Sequence, residues 1–330
     1  MRALVTGGAG FIGSHLVDHL LDAGHRVVVL DDLSTGSPRN LDSALRRSGL
    51  EFVQGSVLDP VAVRRAMLGC DTVFHLAAPV GARLVRERPL HAVRTIVGGT
   101  ETVLEAAADI DCRLLYVSSG EVYGHGTGRP LREDDDRVLG SPLDTRWCAP
   151  TATGLAELIT TRHWREYGVR GLNVRLFNVA GPRQSARQGA VIPTFVDQAL
   201  RGRPLTVHGD GRQRRCFCSV GDVVPALVAL IDRPTLHGET VNIGGTEEID
   251  ILGLARRVRD LTGSDSDLVM IPWEVAHGPG YTETGHRIPD TTRAREAIGW
   301  NAVTGIDEII GAVAASRAVD ADLIGTDLLA

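Results

Sequence analysis

Directly after the apolar opening Arg2-Ala3-Leu4-Val5, the chain reads Thr6-Gly7-Gly8-Ala9-Gly10-Phe11-Ile12-Gly13 and then enters a helical pattern. This turn constrains the fold more than any other stretch. It satisfies both Gly8-x-Gly10-x-x-Gly13 and the wider Gly7-x-x-Gly10-x-x-Gly13 spacing. Glycines here permit a tight strand-to-helix turn, let a pyrophosphate approach the backbone, and let the helix pack closely on the strand. The helix N-terminus adds unpaired N–H groups and the positive end of its dipole. A second apolar run ends at Asp31-Asp32, about twenty residues beyond the turn, where a carboxylate can take ribose hydroxyls. No arginine stands at that place to receive a 2′-phosphate, so the expected cofactor is NAD rather than NADP.

The rest of the first half repeats the same alternation. Short β-branched runs at 2–6, 26–30, 51–53, 72–75, 113–118 and 171–177 are separated by helical patterns at 11–21, 61–67, 89–108 and 154–167. Strands alternating with helices imply βαβ units and a parallel sheet covered on both faces, hence strands that are apolar without alternation. The fold class expected is α/β, a Rossmann doubly wound parallel sheet with a smaller, interleaved C-terminal substrate lobe. Residues 1–177 form the dinucleotide-binding domain, part of 213–245 returns to it, and 178–330 is mainly the substrate lobe, punctuated by Gly181-Pro182, Arg203-Pro204 and Gly209-Asp210-Gly211.

Composition narrows the partners. A net charge of −6 over 330 residues argues against nucleic acid or an anionic membrane surface. No apolar run is long enough for a bilayer and no charged leader precedes an apolar one, so a cytoplasmic protein is expected. The five cysteines, Cys70, Cys112, Cys148, Cys216 and Cys218, lack the spacing of a zinc set and read as thiols in a reducing compartment; no metal is expected. The acidic run Glu133-Asp134-Asp135-Asp136 reads as a solvated loop. All 35 basic residues are arginine; the chain contains no lysine.

Taken together, the glycine turn, Asp31-Asp32-x-Ser34-Thr35-Gly36, His75-Leu76-Ala77-Ala78, Ser118-Ser119-Gly120-Glu121-Val122-Tyr123-Gly124, Arg175-Leu-Phe-Asn178-Val-Ala-Gly181-Pro182, Arg214-Arg215-Cys-Phe217 and Arg287-Ile-Pro-Asp290 resemble the extended short-chain dehydrogenases that modify nucleotide sugars. UDP-glucuronate decarboxylases, UDP-glucose 4-epimerase-like enzymes and sugar 4,6-dehydratases are the nearest activities by resemblance. The resemblance implies that Gly7, Gly10, Phe11, Ile12, Gly13, Asp31, Asp32, Ser34, Thr35, Ser56, Val57, Leu76, Ala77 and Ala78 bind NAD. It implies that Asn178, Arg215 and Arg287 bind a nucleotide-sugar substrate, arginine being suited to diphosphate. It also implies a homodimer, in which the helices at 89–108 and 154–167 pair with their copies and Ala106, Ala107 and Ala156 allow close approach.

Members of that family carry a Tyr-x-x-x-Lys pair on one helical face, the lysine lowering the tyrosine pKa and holding the nicotinamide ribose. Here those positions are Ala149 and Thr153, read back from Glu157, and a chain without lysine cannot restore the pair elsewhere. The asparagine expected before Gly99-Thr100 is Ile96, and the acid expected to meet the adenine is Ser56. The remaining catalytic candidates are Ser119, Glu121 and His125. The sequence leaves three functions open: a nucleotide-sugar epimerase, dehydratase or decarboxylase that works without the couple, a silent paralogue that partners an active enzyme, and a non-redox small-molecule enzyme on the same fold.

Overall fold

A computed structural model describes residues 1–79, 81–278 and 285–327. The apolar runs form strands β1 (Arg2–Thr6), β2 (Arg26–Asp31), β3 (Leu50–Gln54), β4 (Thr72–His75), β5 (Arg113–Ser119) and β6 (Gly171–Phe177). Between them lie α1 (Phe11–Asp22), α2 (Pro60–Met67), α3 (Ala82–Glu87), α4 (Pro89–Ile110) and α5 (Cys148–Tyr167). Two short strands follow, β7 (Val179–Ala180) and, after α6 (Val191–Leu200), β8 (Leu205–His208). Next come β9 (Arg214–Cys216), β10 (Cys218–Ser219), α7 (Val220–Ile231) and β11 (Thr240–Gly244). The chain closes through β12 (Glu248–Asp250), α8 (Ile251–Leu261), β13 (Leu268–Ile271), α9 (Trp273–His277), α10 (Thr292–Ile298) and α11 (Ile306–Asp327).

Seven strands make one sheet in the order β11-β6-β5-β4-β1-β2-β3, every neighbouring pair parallel. Alternate side chains of β1 serve opposite faces. Ala3 and Val5 pack with Leu16, Val17 and Leu20 of α1 and Val223 and Leu227 of α7. Leu4 packs with Val63 of α2, Val103 and Leu104 of α4 and Ala156 of α5. Both faces are therefore covered, which is why these strands carry no polar alternation. The strand order reverses direction between β1 and β4, and the crevice beyond their C-terminal ends is where a doubly wound sheet binds its ligand.

A third core, built from Phe195 and Val196 of α6, Leu205 and Val207 of β8, Leu254 and Val258 of α8 and Ile310 of α11, supports the second lobe. The lobes interleave. Besides α7 and β11, α10 also returns to the sheet side, where Ala294 joins the first core. Asp222 ties the C-terminal segment down by accepting from Val303 N–H at 3.1 Å and from the backbone and hydroxyl of Thr304 at 2.9 Å each.

Two sequence expectations are corrected here. Ala106, Ala107 and Ala156 are buried inside this one chain, between helices and sheet, so they offer nothing to a second copy. The run from Glu133 to Asp136 is not simply solvated: Glu133 Oε1 accepts the Asn242 N–H at 2.9 Å and burial pushes its carboxyl up, while Asp135 pairs with Arg129 at 2.6 Å. Four of the cysteines are buried and all five are free thiols. Among the described residues no helix is long and apolar enough to cross a membrane.

Candidate active site

The glycine turn is shaped by contacts that only glycine permits. Gly7 has φ +72°, and a Cβ there would stand 2.9 Å from the backbone nitrogen of Ala77. A Cβ on Gly13 would stand 2.2 Å from the Gly7 carbonyl oxygen, so α1 starts hard against the turn. Gly10 caps α1 without a side chain, which leaves the first-turn N–H groups for an anion. At the end of β2, buried Asp31 accepts the Ala9 N–H at 2.9 Å and the Leu33 N–H at 2.8 Å. Desolvation raises its carboxyl above the ordinary value despite those two donors. Gly36 and Asn40 complete the seat: Asn40 Nδ2 donates to the Ala9 carbonyl at 2.8 Å, and Gly36 packs where a Cβ would meet Ala9 at 2.9 Å. No pattern around Asn40 announces this contact in the sequence.

Beside the turn, at the ends of β4 and β5, runs a chain of buried hydrogen bonds whose direction is fixed. Thr100 donates to the Ile96 carbonyl at 2.6 Å, so at 3.1 Å it accepts from His75 Nε2. The other ring nitrogen, Nδ1, then accepts from the Thr6 hydroxyl at 2.7 Å, and Thr6 in turn accepts the Ala77 N–H at 3.3 Å. His75 is thus a neutral imidazole, and burial pushes its pKa down to about 4. It holds the β4 loop on the glycine turn and is not available as a base.

The end of β5 rests on a buried ion pair. Glu157 of α5 receives Arg175 in a fork at 2.8 and 2.7 Å, and Ser118 donates to the same carboxylate at 2.5 Å. The Arg175 guanidinium also lies over the Tyr123 ring at 4.6 Å, and Tyr123 donates to Asn242 at 2.9 Å. On this platform Ser119 accepts the Glu121 N–H at 3.1 Å and lines the cleft. Glu121 forms an ion pair with Arg287 at 3.4 Å.

One cleft of about 1300 Å³ gathers most of the expected residues. Its walls include Gly7, Gly10, Phe11, Ile12, Gly13, Asp31, Asp32, Ser34, Thr35, Val57, Leu76, Ala77 and Ala78 from the dinucleotide set, and Ser119, Glu121, Asn178, Arg215 and Arg287 from the substrate set. Two candidates fall outside it. His125 lies against Trp147, ring centroids 4.9 Å apart, and is not among the residues that line the cleft, although Trp147 is. Ser56 is turned to its own loop, where its hydroxyl accepts the Leu58 N–H at 3.2 Å.

The vacated positions, Ala149 and Thr153, do line the cleft. Pro150 sits in the first turn of α5, where its missing N–H costs no helical bond, and its carbonyl accepts from Arg137 at 3.0 Å. The Arg137 guanidinium occupies the space beside Gly154, where a Cβ would stand 2.2 Å from it, and it is not among the residues that line the cleft. Sequence reasoning missed Arg86, Arg146 and Arg187, which line the cleft, and also Thr95 and Tyr116. For Tyr116 there was a signal: it is two residues before Ser118 on β5, hence on the same face.

The sequence pattern of the NAD dependent epimerase/dehydratase family matches residues 3–244. The chain is 36% identical over 299 residues to a UDP-N-acetyl-alpha-D-glucosaminuronate decarboxylase of Bacillus cytotoxicus, covering 89% of this chain and 91% of that protein. It is 33% identical over 307 residues to UDP-glucuronic acid decarboxylase 1 of Xenopus tropicalis, covering 93% of this chain and 70% of that one. Among solved structures, UDP-glucose 4-epimerase of Thermotoga maritima with UDP-glucose superposes with a TM-score of 0.87 at 29% identity, covering 97% of this chain and 99% of that one. UDP-glucuronic acid 4-epimerase of Bacillus cereus in complex with UDP-glucuronic acid and NAD gives 0.84 at 26% identity, covering 96% and 98%.

Proposed function

Because the chain belongs to the NAD dependent epimerase/dehydratase family, we propose that it is an NAD-binding enzyme that modifies a nucleotide sugar without a tyrosine–lysine couple. The observation that carries this reading is the single cleft, in which the glycine turn and Asp31 share walls with Ser119, Glu121, Arg215 and Arg287. A site that had lost its purpose would have no reason to keep the substrate-side groups assembled.

The residues present suit NAD: no side chain fills the turn at Gly7, Gly10 and Gly13, and a carboxylate ends β2. In this reading the first turn of α1 holds the pyrophosphate and Asp31 the adenosine ribose. The bound nicotinamide supplies hydride acceptance. Ser119 donates its hydroxyl hydrogen to a sugar oxygen. Arg287, paired with Glu121, offers a guanidinium to a diphosphate or to a carboxylate on the sugar, and Arg215 offers a second. The uronate-processing relatives favour a carboxylated sugar. Glu121, or a water between it and Ser119, takes the role of base.

Exchanging Ser119 or Glu121 for alanine then lowers the turnover of a converted sugar nucleotide by roughly 10²–10⁴-fold, the scale for a positioned polar or acid–base group. Full turnover in both variants contradicts the site assignment. The second reading, a silent partner of an active enzyme, draws on one observation: Glu121 is already engaged by Arg287. It predicts that sugar nucleotides bind and none is converted.

Dimerisation belongs to the same proposal, on a different surface from the alanines. Thr151, Leu155, Leu158 and Arg162 form a stripe along the outside of α5, with Leu155 and Leu158 43% and 50% exposed. Two exposed leucines flanked by a threonine and an arginine fit the centre and rim of a two-fold helix pairing.

A further inference from the structure

The reading of the cleft as a dinucleotide site leaves its second half to be filled. The glycine turn sets the pyrophosphate between β1 and β4, and Asp31 on β2 takes one ribose. By the symmetry of a doubly wound sheet the other nucleoside half must run over the ends of β4 and β5. There the walls are Ala78, Thr95, Ile96, Tyr116, Ala149 and Thr153, and no lysine exists to hold a ribose.

Three hydroxyls stand among these apolar groups. Thr95, only 8% exposed, has a buried Oγ1 with no hydrogen-bond partner in the protein, although it lines the cleft. A buried hydroxyl left unmet is unfavourable, so this atom marks a place where a ligand completes the structure. Tyr116 leans its ring on His75, centroids 5.6 Å apart, and its hydroxyl lies beside those of Thr153 and Thr100. Thr100 already has its hydrogen committed to the Ile96 carbonyl and its oxygen approached by His75. Tyr116 and Thr153 are therefore the members of this group that face the cleft.

We propose that Thr95, Tyr116 and Thr153 form a neutral hydroxyl subsite that receives the diol of the dinucleotide's second ribose. Its chemistry suits that ligand: three uncharged groups that both donate and accept match two vicinal hydroxyls, which do the same, and they bring no charge to favour a phosphate. Burial and the nearby Glu157 charge hold the Tyr116 phenol well above its ordinary pKa, so it acts as a hydrogen-bond donor and not as a base. The subsite takes the place of a cation with hydroxyls from three different elements, α4, β5 and α5.

This inference rests on the dinucleotide reading, and one calorimetric comparison separates the two. ADP lacks the second ribose; ADP-ribose carries it. In Tyr116→Phe, Thr95→Val and Thr153→Val the affinity for ADP-ribose falls about three- to tenfold for each hydroxyl lost, while the affinity for ADP is unchanged. Variants that bind ADP-ribose as tightly as the parent overturn the subsite. So does an equal loss of ADP affinity, which marks a general distortion. If the parent protein itself binds neither ADP nor ADP-ribose, the dinucleotide reading fails and the subsite falls with it. Tyr116→Phe keeps the ring and its packing on His75, so it reports on the hydroxyl alone.

Discussion

Asp31 and His75 show how much a single buried titratable group decides. The Asp31 carboxylate disfavours a 2′-phosphate at close range, so NAD binds more tightly than NADP; calorimetry that ranks them the other way contradicts the assignment. Its pKa is raised by burial, and ribose hydroxyls donate to the ionised form. Binding therefore expels the proton, and NAD affinity climbs as the pH rises through that elevated value and then levels. Asp31→Asn should bind weakly and without this slope. Burial shifts His75 the other way. Its folded pKa of about 4 lies below the unfolded value of 6.5, so the stability it contributes is complete above 6.5 and is lost as the pH falls toward 4. That loss amounts to about 3 kcal/mol at roughly 1.4 per unit, read from urea midpoints across that range, and His75→Asn should lack it. At this scale the sequence was legible where a motif places a residue, as for Asp31 at the end of β2 on the cleft wall. It was silent where the task depends on contacts far along the chain: the neutral tautomer of His75 follows from Thr6 and Thr100, and no local pattern announces it.

The elements were more legible than the residues that join them. Strands β1, β4 and β6 begin and end where their apolar runs do, because each is covered on both faces by helices. By contrast α5 starts at Cys148, six residues ahead of the periodic stretch, since Pro150 is harmless in a first turn and the apolar periodicity is weak there. Gly13 illustrates a conflict between element and contact. Propensity alone makes Gly13→Ala worth up to about 1 kcal/mol to α1. The added Cβ, 2.2 Å from the Gly7 oxygen, reverses this, so the variant should melt lower and lose at least about tenfold in NAD affinity. An unchanged affinity would mean that the turn does not hold the pyrophosphate. The outer stripe of α5 gives a second test: Leu155→Arg with Leu158→Arg should turn a sedimenting dimer into a monomer, with melting otherwise intact. A parent protein that is monomeric at micromolar concentration refutes the pairing.

Across the whole molecule, one cleft gathers the residues proposed for the dinucleotide and those proposed for the substrate, in a chain that has no lysine. That these residues come together was legible from the spacing of glycines, acids and arginines. What the sequence hid was the packing of His125 on Trp147 and the presence in one cleft of hydroxyls from three elements, Thr95, Tyr116 and Thr153. The central claim is that the chain converts a nucleotide sugar with Ala149 and Thr153 in place of the couple. The most direct measurement is mass-spectrometric product analysis after incubation with NAD and a panel of sugar nucleotides that includes uronates, for the parent and for Ala149→Tyr with Thr153→Lys. The account predicts a new product from the parent chain. No product from the parent, together with NAD reduction or sugar conversion that begins only in the restored double variant, would contradict it.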